Sequence, residues 1–272
     1  MKVINILLLI LLLILSLILL LILLLYKREG YTNTNSPNIR ILNLVLFSHS
    51  EEYDAMYKLT SPYYKKHNID TLYYTFSNTN DIVDDILYIK GSESKIPGIL
   101  DKTIKAFEYI QPNLDDYDYV VRSNISTIIN FDLLKEQLMN KPIDYGGGIM
   151  WDLQWLHPEG GVIDKTHWNK KFASGTSIIL SSKLVKRILE NKQHIQYDLI
   201  DDVAIGVLIH DYFSDIIPVD FSKYFIALDN HNGHEPSIKS QISNPTHIFY
   251  RNRASDTRNI DVIQMKTILD II

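Results

Sequence analysis

The chain has 272 residues with 27 basic and 32 acidic side chains, a net charge of -5 and no cysteine. A balance on the acidic side, without a basic stripe, excludes nucleic acid as the main partner. The missing cysteines exclude a disulfide framework and a thiolate metal centre.

The amino end opens on an apolar run, Val3 to Leu25, in which only Asn5 and Ser16 are polar. At about 1.5 Å rise per residue it spans the roughly 30 Å hydrocarbon core of a bilayer. Tyr26-Lys27-Arg28 offers no small-residue cleavage site, which favours a retained membrane helix over a signal peptide. Residues 1–28 are therefore expected to be an anchor and residues 29–38, rich in Asn, Thr and Ser, a polar linker. Lys2 and the amino group on one side nearly tie with Lys27 and Arg28 on the other, so the positive-inside rule leaves the orientation open. Residues 39–272 suffice for one core.

In that region the chain alternates between two periods. Ile39 to Phe47 is a short apolar strand, and Ser48-His49-Ser50-Glu51 has the cap and early acids of a helix start. Asp70 to Phe76 and Ile86 to Ile89 are further strands. Pro97 to Ile110 sets Ile104, Phe107 and Ile110 on one helical face. Tyr117 to Val121 is a strand, Phe131 to Met139 a helix, and Thr176 to Leu180 a strand entering the helix Ser181 to Asn191. Such alternation predicts an α/β domain with a mostly parallel sheet covered on both faces.

Four stretches carry residues suited to chemistry. Arg122-Ser123-Asn124 stands where the Tyr117 strand is expected to end, the edge at which open α/β sheets bind ligands; a capped turn explains it equally well. Tyr145-Gly146-Gly147-Gly148 gives a backbone that a ligand can approach, and Trp151 and Trp155 offer apolar faces for a sugar, or are core tryptophans beside a turn. Gly175 precedes a buried strand, as a binding or simply a turn glycine. Asp201 and Asp202 open a helix; either the helix dipole is their reason, or apolar surroundings and the like-charged neighbour raise one of them to serve as a general base. Nine histidines are present, but none falls in a metal-ligand spacing, and His247 is kept as the one metal candidate.

In order, these pieces resemble the β-1,3-glycosyltransferases of the fringe and β-1,3-galactosyltransferase type. "DILYIKGSESKIPGILDKTIKAF", Asp85 to Phe107, is similar to that family's "DIL…DF.DSY.NLTLKT", with Lys102 on its lysine. "FASGTSIILS" resembles "SGTGYVLS", "DDVAIG" resembles "EDVYVG" with Asp202 on its Asp, and "THIFYRNR" gives a looser close. The resemblance implies a single GT-A-like, Rossmann-like nucleotide-sugar-binding domain over residues 39–272 behind the membrane helix. It also implies a type II protein with a lumenal, Golgi- or ER-like catalytic domain. The activity implied is inverting transfer of a sugar from a UDP-sugar to a hydroxyl of a glycan or glycoprotein. Asp202 would be the base with Asp201 in reserve, and Ser48, Lys102, Arg122, Ser123 and Asn124 would hold the donor. Gly147, Trp151, Trp155 and Gly175 would meet sugar or acceptor.

One motif departs. Where the family has "K.DDD.FVN" this chain has "VRSNISTIIN", without the acids that bind Mn²⁺. Mn²⁺ enters only through the resemblance, so no cofactor is assigned, and Arg122 is the cation expected to hold the donor diphosphate in its place. An inactive sugar- or nucleotide-binding module and a structural membrane protein are the alternative readings.

Overall fold

Short polar residues start three of the helices described in the domain. The computed structural model describes residues 39–228, 235–242, 246–253 and 258–272. Val3 to Leu25, the linker, His231 and His234 lie outside them, and among the described residues no helix is long and apolar enough to cross a membrane. In chain order the elements begin β1 (Ile41–Leu46), α1 (Glu51–Lys66), β2 (Asp70–Ser77), β3 (Asp81–Val83), β4 (Ile86–Lys90), α2 (Gly98–Ile110), β5 (Tyr119–Asn124), β6 (Thr127–Ile129) and α3 (Phe131–Asn140). They continue β7 (Tyr145–Gly147), β8 (Met150–Asp152), β9 (Lys171–Ala173), β10 (Ser177–Ser181), α4 (Ser182–Glu190), α5 (Asp201–Tyr212), β11 (Pro218–Asp220), β12 (Phe225–Ala227), α6 (Glu235–Ile242), β13 (Phe249–Arg251) and α7 (Arg258–Leu269). Ser50, Asn130 and Ser181 each accept a backbone N–H from three residues on, at 3.1, 3.2 and 3.1 Å, which satisfies an orphan donor at the start of α1, α3 and α4.

Eight strands form the central sheet in the order β11-β7-β10-β5-β1-β2-β4-β3. β1 pairs in parallel with β2 and β5, as do β2 with β4 and β7 with β11. β10 runs antiparallel to both of its neighbours, so the strand expected at Thr176 to Leu180 is present with the opposite sense to most of the sheet. Period-two alternation divides the strand side chains between two cores. Leu42, Leu44, Val120, Ile178 and Leu180 pack on the side of α2, α4 and α5. Ile41, Val45, Val121 and Ile179 pack on the side of α1, α3 and α7. Each core lies between the sheet and a layer of helices, which makes the domain an α/β/α stack.

β5 runs further than its apolar residues predict. Arg122 pairs with Leu44 of β1 and Ile178 of β10, and Ser123 with Val45 and Ser177, so residues 122–124 are strand and the turn falls at Ile125 and Ser126. A second small sheet, β12-β13-β6, follows from that turn: β6 pairs with β13, setting Arg251 opposite Thr127 and bringing the carboxyl-terminal segment beside the end of β5. The β8-β9 pair sets Trp151 opposite Phe172.

Helix α5, which carries both aspartates, packs close against β9 through Gly206. A Cβ on Gly206 would overlap the Phe172 side chain and come within 2.9 Å of the Lys171 carbonyl oxygen. Gly206→Ala gains about 1 kcal/mol of helix propensity and meets about 1–3 kcal/mol of overpacking against a strand backbone that cannot yield, so we expect net destabilisation. Urea unfolding checks this: the midpoint should fall, and a rise would mean that the helix is not pinned here.

Candidate functional site

A cavity of about 620 Å³ opens at the carboxyl ends of β1, β4 and β5. Ser48, Lys102, Arg122, Asn124, Gly175, Asp201 and Asp202, which lie far apart in the chain, all line it. A smaller cavity of about 240 Å³ adjoins it, lined by Trp151, Trp155, His157 and Phe172, and Asp202, Ser174 and Ile200 belong to both.

At the β1 end, Lys102 is 1% exposed, and its ammonium donates to the Phe47 carbonyl at 2.9 Å, Ser48 Oγ at 3.2 Å and Glu93 Oε1 at 2.6 Å. Burial lowers the lysine pKa, against the pull of Glu93. Ser48 donates to the same Glu93 oxygen at 3.1 Å. The lysine thus fixes a serine and a carboxylate on one wall.

Opposite it stands Arg122, also 1% exposed. Its Nη2 meets Asp201 Oδ2 at 2.5 Å, Nε donates to the Tyr74 hydroxyl at 3.2 Å, and Nη1 donates to Asn124 Oδ1 at 2.9 Å and to the Gly175 carbonyl. Burial works against the guanidinium charge, and Asp201 together with Tyr74 and Asp202 more than compensates, leaving the pKa raised. Arg122 is therefore committed to the protein on every side, and the expectation that it grips a diphosphate directly gives way to a structural ion pair. Asp201, 3% exposed, is equally committed to it.

Asp202 differs from its neighbour. It is only partly buried. Its Oδ2 accepts the Gly175 N–H at 2.8 Å and its Oδ1 the Val203 N–H at 2.9 Å. Burial and the charge of Asp201 raise its pKa to about 6, against the Gly175 N–H, Arg122 and the Val203 N–H. Gly175 binds both partners, Asp202 through its N–H and Arg122 through its carbonyl; a Cβ there would lie 3.1 Å from Arg122 Nη1 and 3.3 Å from Asp202 Oδ2. A side chain at this position would press on both charged groups.

Three expected site residues are not brought to this place. Ser123 alternates to the opposite face of β5, where it is buried away from both cavities. Gly147 is a packing glycine: a Cβ would lie 2.6 Å from Ala173 Cβ and 3.0 Å from the Ser177 carbonyl, leaving no room for a ligand. His247 packs edge-on against Tyr250 at 6.0 Å, outside both cavities. Among the described residues, no group of three His, Cys, Asp or Glu side chains could hold a metal ion, so the donor set does not fit Mn²⁺.

Other lining residues escaped the sequence. Glu93 sits in the loop after β4, inside the Asp85 to Phe107 stretch. Arg251, Arg253 and Arg258 also line the large cavity. The first two fall within "THIFYRNR", whose link to β6 no local pattern announces.

No family model and no curated protein matches the chain. Among solved structures it is similar to a glycosyltransferase involved in the glycosylation of the major capsid of PBCV-1, at 11% identity and a TM-score of 0.43, over 84% of this chain and 98% of that one. It is also similar to a Drosophila β-1,4-galactosyltransferase 7 variant in complex with manganese, UDP-Gal and xylobiose, at 12% identity and a TM-score of 0.40, over 68% and 66%. Likenesses this remote carry no assignment of chemistry.

The Arg122–Asp201 pair predicts a lopsided response to mutation. Arg122→Met strands a buried carboxylate and should lower stability by about 3–5 kcal/mol, whereas Arg122→Met with Asp201→Leu, which removes both charges, should recover most of it. Denaturant unfolding of the two variants tests the pair; equal losses would mean that the two side chains are not energetically coupled.

Proposed function

We propose that the chain is an inverting glycosyltransferase that moves a sugar from a UDP-sugar to a hydroxyl of a glycan or glycoprotein, of the fringe and β-1,3-galactosyltransferase type that its motifs resemble. One observation carries the reading: a carboxylate with a raised pKa, Asp202, sits at the junction of a polar, cation-lined cavity and an aromatic one. The larger cavity suits a charged nucleotide, with Ser48 and Glu93 placed for hydroxyl groups and Asn124 for a further polar contact. The smaller suits a sugar ring, since Trp151 and Trp155 stand edge to face at 5.9 Å and are 46% and 42% exposed, leaving apolar faces open.

In this reading the acceptor lies against the tryptophans with its hydroxyl at Asp202. The hydroxyl oxygen attacks the anomeric carbon of the donor, its proton passes to Asp202, and the bond from that carbon to the diphosphate breaks with UDP as leaving group. A pKa of about 6 suits a general base, because the carboxylate is largely ionised at neutral pH and basic enough to take a proton as the new bond forms. Val3 to Leu25 would anchor the enzyme in a membrane as a type II protein with this domain in a lumenal, Golgi- or ER-like compartment.

Asp202→Asn tests the role. UDP affinity should stay within about twofold while turnover falls by about 10² to 10⁴, the range for a lost general base. The wild-type rate should rise with pH through about 6 and then level off, because only the unprotonated carboxylate accepts the proton. UDP binding without UDP release from any sugar donor would replace the transferase with a binding module, and full activity in Asp202→Asn would remove the base.

A further inference from the structure

Six basic side chains line the larger cavity, against three acidic ones. Three of the six come from earlier parts of the chain, and each is paired with a carboxylate. Lys102 is held by Glu93, Arg122 by Asp201, and Lys95 reaches out to Glu159 at 2.9 Å. The other three, Arg251, Arg253 and Arg258, all come from the carboxyl-terminal segment.

That segment is fixed in place by Asn252, fully buried, whose backbone N–H and Nδ2 both donate to the Ser126 carbonyl at 2.9 and 3.3 Å. Arg251 and Arg253 flank it, two residues apart, and both reach the cavity. Arg251 donates to Ser126 Oγ. Arg258 opens α7, pairs with the buried Asp261 at 2.5 Å and lies 5.5 Å over the Tyr53 ring, while its buried Nε has no hydrogen-bond partner among the described residues. Arg253 is exposed, and among the described residues it makes no hydrogen bond or ion pair. A cavity wall with three arginines, one of them exposed and without a hydrogen bond or ion pair among the described residues, suits an anion with several oxygens.

We propose that Arg253 and Arg258, with Arg251 beside them, hold the diphosphate of the donor, and that this site works without a divalent metal. The proposal rests on the donor being a nucleoside-diphosphate sugar, as above. The carboxylates that could hold a metal are already engaged, Glu93 by Lys102 and Asp201 by Arg122, and Asp202 is placed to take a proton. As the bond to the anomeric carbon breaks, its electron pair stays on the diphosphate oxygen, and the neighbouring guanidinium groups offset the added charge. The carboxyl-terminal segment, rather than the strand end at Arg122, thereby supplies the cations.

Calorimetric titration of the full chain with UDP and with inorganic pyrophosphate, each in EDTA and in Mn²⁺, tests this. Both ligands should bind equally well under the two conditions and lose affinity as salt rises. Arg253→Ala, at an exposed position where folding is not at stake, should weaken both by about tenfold or more. Arg258→Lys keeps a charge near Asp261 and should weaken them less. Binding that requires Mn²⁺, or that ignores both substitutions, overturns the proposal while leaving the transferase reading intact. Arginine-dependent pyrophosphate binding with UDP bound no better, and no UDP released from any donor, would keep the anion site and remove the transferase. Absence of binding by either ligand would remove the site.

Discussion

The buried pair of Arg122 and Asp201 is the constraint on which the site depends. Two charges with almost no exposure can persist only when each satisfies the other, and the partners lie on different elements, one near the end of β5 and one at the start of α5. Their 2.5 Å contact fixes how the helix meets the sheet. Gly175 completes the arrangement by bonding Arg122 with its carbonyl and Asp202 with its amide. The helix has no side-chain cap, and two carboxylates stand in its first turn. One carboxylate goes inward to the arginine and the next faces the junction of two cavities. A pair that stabilises little by itself thus gives two adjacent aspartates opposite roles.

Asp202 is where the opposing effects are decided. The helix start, two backbone N–H groups and Arg122 favour its charge; burial and the neighbouring Asp201 oppose it and win, since the pKa rises to about 6. The same carboxylate is open to a polar cavity on one side and to exposed tryptophans on the other, so a group of moderate basicity stands at their boundary. Lys102 has a comparable but quieter part at the other wall. A fully buried ammonium orders Ser48 and Glu93 without itself being free for a ligand.

Where a signal was local, the sequence carried it. Ser50, Asn130 and Ser181 cap helices within three residues of themselves, and Ile104, Phe107 and Ile110 share the face of α2 that packs in the core. Lys102, Gly175 and Asp202, each carried by a short motif, stand on one cavity, whereas Ser48 and Asn124 join them there without a matching motif. What escaped depends on pairing across the chain. β5 continues through Arg122 and Asn124 because β1 and β10 both offer partners there, which an apolar pattern ending at Val121 cannot reveal. Once the strand is extended, alternation alone turns Ser123 away. β6, β12 and β13 are three residues each, too short for any period, and they bring the arginines of the carboxyl-terminal segment into the cavity.

The most direct measurement is the titration of Asp202 itself. Carboxyl carbon resonances of the ¹³C-labelled protein, with the Asp202 signal identified by its loss in Asp202→Asn, should show a midpoint near pH 6, well above that of an ordinary aspartate. A midpoint near the ordinary aspartate value of about 4 would contradict the account, because Asp202 would then be a helix-start carboxylate like any other and the Arg122–Asp201 pair would not have separated two aspartates into a structural partner and a base.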